Sequence, residues 1–209
     1  MLHRLQYISQ GSSPEEHLKN IQAVLDAGVR LIQLRLKNVD ENVYSEYASK
    51  TKDLCVQYKS QLIINDNPMV AKSCAADAVH LGLDDMRIED ARKHLTRTII
   101  GGTANTYDHI KQRCAEKVHY IGLGPYSFTT TKEKLSPTLG KEGYTRILQQ
   151  MKADNLRTPV YAIGGIQLHD IKEIMSTGVY GIAVSGLLTN SSDKKKLVKD
   201  INKLLYHHA

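Results

Sequence analysis

At 209 residues, with 41% hydrophobic and 24% charged residues, the chain is long enough for one sizeable core and is expected to form a single domain. No apolar run approaches the roughly 18 residues of a membrane span and no basic leader precedes an apolar block, so a cytoplasmic protein without membrane contact is expected. Cys55, Cys74 and Cys114 lack disulfide or zinc spacing, and the net charge of +6 is scattered rather than striped, which favours an anionic small molecule over nucleic acid.

Along the chain, short β-rich apolar runs alternate with helix-length amphipathic segments. Strands are expected at Leu5–Ile8, Leu31–Leu34, Leu62–Ile64, Ala78–Leu81, Thr98–Ile100, Tyr120–Gly122, Val160–Ile163 and Gly181–Val184. Helices are expected at Pro14–Ala27, Glu41–Tyr58, Pro68–Cys74, Ile88–His94, Tyr107–Cys114, Glu142–Met151, Leu168–Met175 and Asp193–Leu205. Ser12-Ser13 caps the first helix, and glycine ends helices at Ala27-Gly28-Val29 and Thr177-Gly178-Val179. Eight β/α units in about 200 residues fit a TIM barrel, with an open doubly wound sheet as the other arrangement.

A barrel places its chemistry after the C-terminal ends of the strands. The candidate functional residues of this chain fall at those ends. The second strand ends in Gln33-Leu-Arg-Leu-Lys37, where Gln33, Arg35 and Lys37 alternate with Leu34 and Leu36, so two cations share a face that suits a diphosphate or forms an exposed basic edge. The third and fourth strands lead into Asn65-Asp66-Asn67-Pro68 and His80-Leu-Gly-Leu-Asp84-Asp85. Asp66 and Asp85 would give Mg²⁺ the one or two carboxylates it takes, and such residues also cap helices. His80, within its strand and without a second histidine at ligand spacing, is expected to be packed or hydrogen-bonded.

After the fifth strand, Gly101-Gly-Thr-Ala-Asn-Thr106 offers the Thr103 hydroxyl and the amides of a helix start, in what is also an ordinary capping sequence. The sixth strand runs into Gly122-Leu-Gly-Pro-Tyr-Ser-Phe-Thr-Thr-Thr-Lys132, where hydroxyls, close backbone and an ammonium would wrap phosphate, or form a solvated polar loop. Gly164-Gly165 and Val184-Ser185-Gly186 follow the last two strands, where many barrels build a phosphate cup.

In order and spacing, Gln33-Leu-Arg-x-Lys37, Ile63-Ile-Asn-Asp66, Val79-His-Leu-Gly-x-Asp-Asp85, Tyr120-Ile-Gly-x-Gly-Pro125 with Thr129-x-Thr-Lys132, and Ala162-Ile-Gly-Gly-Ile166 resemble the thiamine-phosphate synthase family. The resemblance covers nearly the whole chain. It implies a Mg²⁺-dependent TIM-barrel transferase that joins a pyrimidine-methyl diphosphate to a thiazole phosphate, through loss of pyrophosphate and capture of a carbocation by the thiazole nitrogen. It would assign Gln33, Arg35, Lys37, Asn65, Thr103 and Lys132 to the pyrimidine diphosphate. Asp66 and Asp85 would hold Mg²⁺. Thr129, Thr131, Gly165, Val184 and Ser185 would receive the thiazole phosphate, and a homodimer is a further expectation. The chain departs from the family pattern at Leu36, Leu83, Thr103 and Asn105, where glutamate, glutamine, serine and histidine are usual. A related thiazole tautomerase needs an acid–base residue, for which an amide at Asn105 cannot serve. A non-catalytic phosphate-ligand binder on the same barrel is the other alternative.

Overall fold

A computed structural model describes residues 2–128 and 137–206. Its strands are β1 (Leu5–Ile8), β2 (Leu31–Leu34), β3 (Gln61–Asn65), β4 (Ala78–Leu81), β5 (Ile99–Ala104), β6 (Tyr120–Leu123), β7 (Val160–Ile163) and β8 (Gly181–Val184). The helices are α1 (Pro14–Asp26), α2 (Glu41–Gln57), α3 (Pro68–Ser73), α4 (Ile88–His94), α5 (Tyr107–Ala115), α6 (Gly140–Ala153), α7 (Ile171–Ser176), α8 (Gly186–Thr189) and α9 (Lys194–Tyr206). Every strand pairs in parallel with its sequence neighbours, and β1 closes on β8 through Tyr7 opposite Val184. This is a single (β/α)8 barrel rather than an open sheet.

Local chemistry explains the punctuation. Ser13 Oγ accepts the Glu16 amide at 3.3 Å ahead of Pro14, while the Glu16 carboxylate accepts the Ser12 amide at 2.6 Å, so both chain directions at the start of α1 are held. Asp40 caps α2 through the Asn42 amide at 2.8 Å. Asn67 caps α3 through the Met69 and Val70 amides at 2.9 and 3.0 Å.

The core has two layers. Leu34, Leu62, Ile64, Val79, Leu81, Ile121 and Ile182 face outward and pack beneath the helices with residues such as Ile21, Ala48 and Ile110. Leu31, Ile63, Ala78, Tyr120 and Tyr161 fill the inside of the barrel. In β2, β3, β4, β6 and β7 the period-2 alternation supplies both layers from one short segment.

Three elements differ from the sequence expectation. β5 runs on through Ala104 instead of ending at Ile100, so Thr103 lies within a strand and not on a loop after it. The Gly-Gly-Thr-Ala stretch lacks β-formers, yet it is held on both sides, with His80 opposite Gly101 and Thr103 opposite Gly122. Those two glycines serve packing. A Cβ on Gly101 would come within 2.1 Å of the Tyr120 ring, and one on Gly102 within 2.7 Å of Arg113 Cδ. The helix expected at Leu168–Met175 opens as a 3-10 turn, Leu168–Asp170, before α7. The one-turn α8 has too few residues to leave a periodic signal.

Candidate active site

The C-terminal mouth of the barrel opens into a cavity of about 1030 Å³. Gln33, Arg35, Lys37, Asn65, Asp66, Asp85, Thr103, Gly165, Val184 and Ser185 all line it, so residues far apart in sequence meet in one place. Thr129, Thr131 and Lys132 lie outside the described residues. Gln33, Asn65 and His80 are buried polar side chains on its floor, one step along their strands from the apolar Leu31, Ile63 and Ala78.

Arg35 follows directly from β2, and its backbone amide donates to Ser9 Oγ at 3.0 Å. Ser9 Oγ in turn lies 2.7 Å from His17 Nδ1. Both partners are buried, so α1 helps to set the direction in which Arg35 leaves the strand. Burial lowers the His17 pKa, with the nearby Arg35 charge acting in the same direction and the hydrogen bond to Gly11 opposing.

Asp66 adopts the left-handed region with φ of 66°, one of the conformations an aspartate tolerates better than most residues. Its amide donates to the His80 carbonyl at 2.8 Å, and Lys37 Nζ bonds its carboxylate. Thus the Lys37 ammonium rests on Asp66 inside the pocket. Asp85 Oδ2 accepts the Gly82 amide at 2.6 Å. Burial, then the hydrogen bond and charge of Asp66, push the Asp85 carboxyl up to about 6. Burial would also raise Asp66, but the hydrogen bond from Asp85 and the Lys37 pair outweigh it and hold Asp66 below the usual carboxylate range.

Two carboxylates crowded enough to share a proton gain from a cation between them. No group of three or more His, Cys, Asp or Glu forms a metal cage among the described residues. The two carboxylates of Asp66 and Asp85 are the oxygen donors that a hard divalent ion would take, with water and phosphate to complete its shell.

Across the mouth, Gly164 and Gly165 have φ of 97° and 67°. A Cβ on Gly165 would lie 2.5 Å from the Phe128 carbonyl oxygen and 2.7 Å from that of Ser127, so only glycine lets the loops after β6 and β7 meet backbone to backbone. Tyr126 and Ser127 donate to the Ile163 and Gly164 carbonyls, both at 2.9 Å. On the far side, the Leu139 and Gly140 amides return to the Pro125 and Tyr126 carbonyls at 2.9 and 3.0 Å. The chain on either side of residues 129–136 is thus anchored beside the pocket.

The departures at Leu36 and Leu83 have different meanings. Leu36 is 5% exposed and belongs to the outer core, so its side chain turns away from the cavity. Leu83 lines the cavity at 37% exposure. Asn105 lines it too, and donates its side-chain amide to the Gly124 carbonyl. His80 has Nε2 3.0 Å from Thr103 Oγ1 and Nδ1 3.2 Å from Tyr120 Oη, as its packed, hydrogen-bonded role required. Gln10, part of none of the motifs, also lines the cavity and accepts from Ser185 Oγ at 3.3 Å. Its position just past β1 was the available signal.

Residues 5–188 match the family model described as thiamine monophosphate synthase. The chain belongs to that family. It is 52% identical over 206 residues to a thiamine-phosphate synthase from Flavobacterium psychrophilum, covering 98% of this chain and 100% of that one. A thiamine-phosphate synthase from Flavobacterium johnsoniae is 51% identical, over 99% and 98% of the two chains. Among solved structures, the thiamine phosphate pyrophosphorylase from Pyrococcus furiosus superposes with a TM-score of 0.85 at 26% identity, covering 98% and 96%. The family makes the chain a transferase of thiamine biosynthesis, acting on small molecules. No described helix is long and apolar enough to cross a membrane.

Proposed function

We propose that the chain condenses an aminopyrimidine-methyl diphosphate with a thiazole phosphate at the barrel mouth, giving thiamine phosphate and pyrophosphate. The observation that carries this reading is the convergence of a cationic and carboxylate corner, Arg35, Lys37, Asp66 and Asp85, with a glycine and hydroxyl corner, Gly165 and Ser185, in one cavity. Two anionic substrates need two such corners, held so that their rings meet between them.

In this assignment Gln33, Asn65 and Thr103 orient the pyrimidine ring and its diphosphate. The C–O bond from the ring methylene to the diphosphate breaks, the electron pair leaves with pyrophosphate, and the electron-rich aminopyrimidine spreads the resulting positive charge. The thiazole nitrogen then gives its lone pair to the methylene carbon. Arg35 and Lys37 oppose the charge that grows on the leaving group, with Lys132 assigned the same part by its motif. Asp66 and Asp85 would hold Mg²⁺, which supplies further neutralisation of the departing diphosphate. Gly165, Val184 and Ser185, with Thr129 and Thr131, would seat the thiazole phosphate. No side-chain nucleophile or general base is required, which agrees with an amide at Asn105.

The test is formation of thiamine phosphate from the two substrates by purified protein, with Mg²⁺ or with a chelator, beside the Asp66→Ala and Lys132→Ala variants. Product that depends on metal and is lost in both folded variants is the expected result. Equal turnover in the two variants and the wild type would remove these assignments.

A further inference from the structure

Arg113, on α5, belongs to none of the motifs. Among the described residues it is the only Lys, Arg, Asp or Glu that is buried, at 3% exposure. A buried charge persists only when it is paired and hydrogen-bonded throughout. Arg113 meets that condition with three bonds. Nη1 donates to Glu116 Oε2 at 2.8 Å, Nε to the Thr103 carbonyl at 3.1 Å, and Nη2 to the Gly82 carbonyl at 2.8 Å.

The two carbonyls are informative. The β4–β5 pairing ends with Leu81 opposite Gly102, so Gly82 and Thr103 are the next residues beyond the last paired position. Arg113 bridges them from outside the barrel, extending the register where backbone pairing stops. Each clamped residue also supports the site. The Gly82 amide holds Asp85 Oδ2 at 2.6 Å, and Thr103 presents its hydroxyl to His80 Nε2 at 3.0 Å. Space for the clamp comes from Gly102, where a Cβ would stand 2.7 Å from Arg113 Cδ and 2.8 Å from Nε. A planar fork with several donors spans two carbonyls and a carboxylate, whereas a lysine ammonium in the same place cannot reach all three in one geometry.

We propose that Arg113 is a positioning residue for the transferase reaction, locking Gly82 and Thr103 so that the Asp85 carboxylate and the Thr103 hydroxyl keep their places in the cavity. This rests on the roles given above to Asp85 and Thr103. Arg113 itself touches no reacting atom, and its effect is transmitted through two main-chain carbonyls.

The experiment compares Arg113→Lys and Gly102→Ala with Asp85→Asn and the wild type. Mn²⁺ binding in the presence of inorganic pyrophosphate would be followed by electron paramagnetic resonance, beside circular dichroism and steady-state kinetics. Gly102→Ala keeps the guanidinium but pushes it aside, so it provides a second route to the same displacement. Folded Arg113→Lys or Gly102→Ala protein should bind Mn²⁺ about 10–100-fold more weakly, the usual consequence of disturbing a group that orients a metal ligand. The kcat should fall more than KM rises. A loss of Mn²⁺ binding in Asp85→Asn, with wild-type affinity and kinetics in both other variants, would overturn the role of Arg113 alone. Unchanged Mn²⁺ binding in Asp85→Asn would overturn the metal assignment beneath it. Failure of both Arg113→Lys and Gly102→Ala to fold would make the clamp a requirement of the fold and overturn the proposal as well.

Discussion

At the N-terminal end of the barrel, Leu31, Ile63, Ala78, Tyr120 and Tyr161 close into an apolar plug, whereas two residues further along their strands Gln33, Asn65 and His80 face the cavity. Tyr161 stands edge-on to both Tyr120 and Tyr180, at 5.5 and 5.4 Å, and its hydroxyl donates to the His3 carbonyl at 2.6 Å. One step of the strand period, about 7 Å, therefore divides the packed end from the cavity end. Apolar residues suit the first because nothing needs to move or bind there. The second gathers groups that would be costly in a core and useful against phosphate.

If this division is sound, substitutions on its two sides should fail in different ways. The largest functional effect is expected from Asp85→Asn, which should lower kcat/KM by about 100-fold or more while moving the melting temperature little. Steady-state kinetics beside thermal unfolding would check this, and a stability loss that accounts for the activity loss would break the contrast. Tyr161→Ala should do the reverse, costing about 3–5 kcal/mol of stability through the cavity it leaves, with near-wild-type kcat/KM in the folded fraction. Urea unfolding and activity at low temperature would separate the two quantities.

Tyr120→Phe sharpens the boundary, because Tyr120 belongs to the plug while its hydroxyl meets His80 at 3.2 Å. The expected loss is about 1 kcal/mol, with a few-fold change in turnover, measured by the same two assays. The smallest effect concerns pH. Because the folded state lowers the His17 pKa, the unfolded chain takes up the proton first as pH falls. Stability is therefore lost as pH drops below the unfolded value of about 6.5 and into the depressed folded range. His17→Gln should flatten that decline in denaturant melts between about pH 7 and 5.

The barrel was legible because each strand is short, apolar and followed by polar residues, and because helix caps such as Ser13 and Asn67 sit where the chain turns. The fate of Gln33, Arg35 and Lys37 on one face, with Leu34 and Leu36 on the other, followed from alternation alone. Length of β5 did not, since two glycines remove the side chains that carry a strand signal, and tertiary pairing with β4 and β6 decides the matter. Lys37 was legible as a cation but not as the partner of Asp66, because that contact depends on how two loops cross. Arg113 was hidden more deeply. On a polar helix it reads as one more solvated charge, and only the absence of a side chain at Gly102 hints at the space it occupies.

The closure of β1 on β8 has a consequence for the order in which the molecule can be finished. Tyr7 pairs with Val184, and the Gln10 and Ser185 side chains meet just beyond that pairing. Of the eight strands, a ribosome making this chain delivers one side of the seam first and the other last. Before β8 is made, β1 has no partner on that flank, and the contact between Gln10 and Ser185 cannot form. Closure of the barrel and assembly of that side of the cavity are thus one event: a chain without β8 lacks both the β1 partner strand and the Gln10–Ser185 contact.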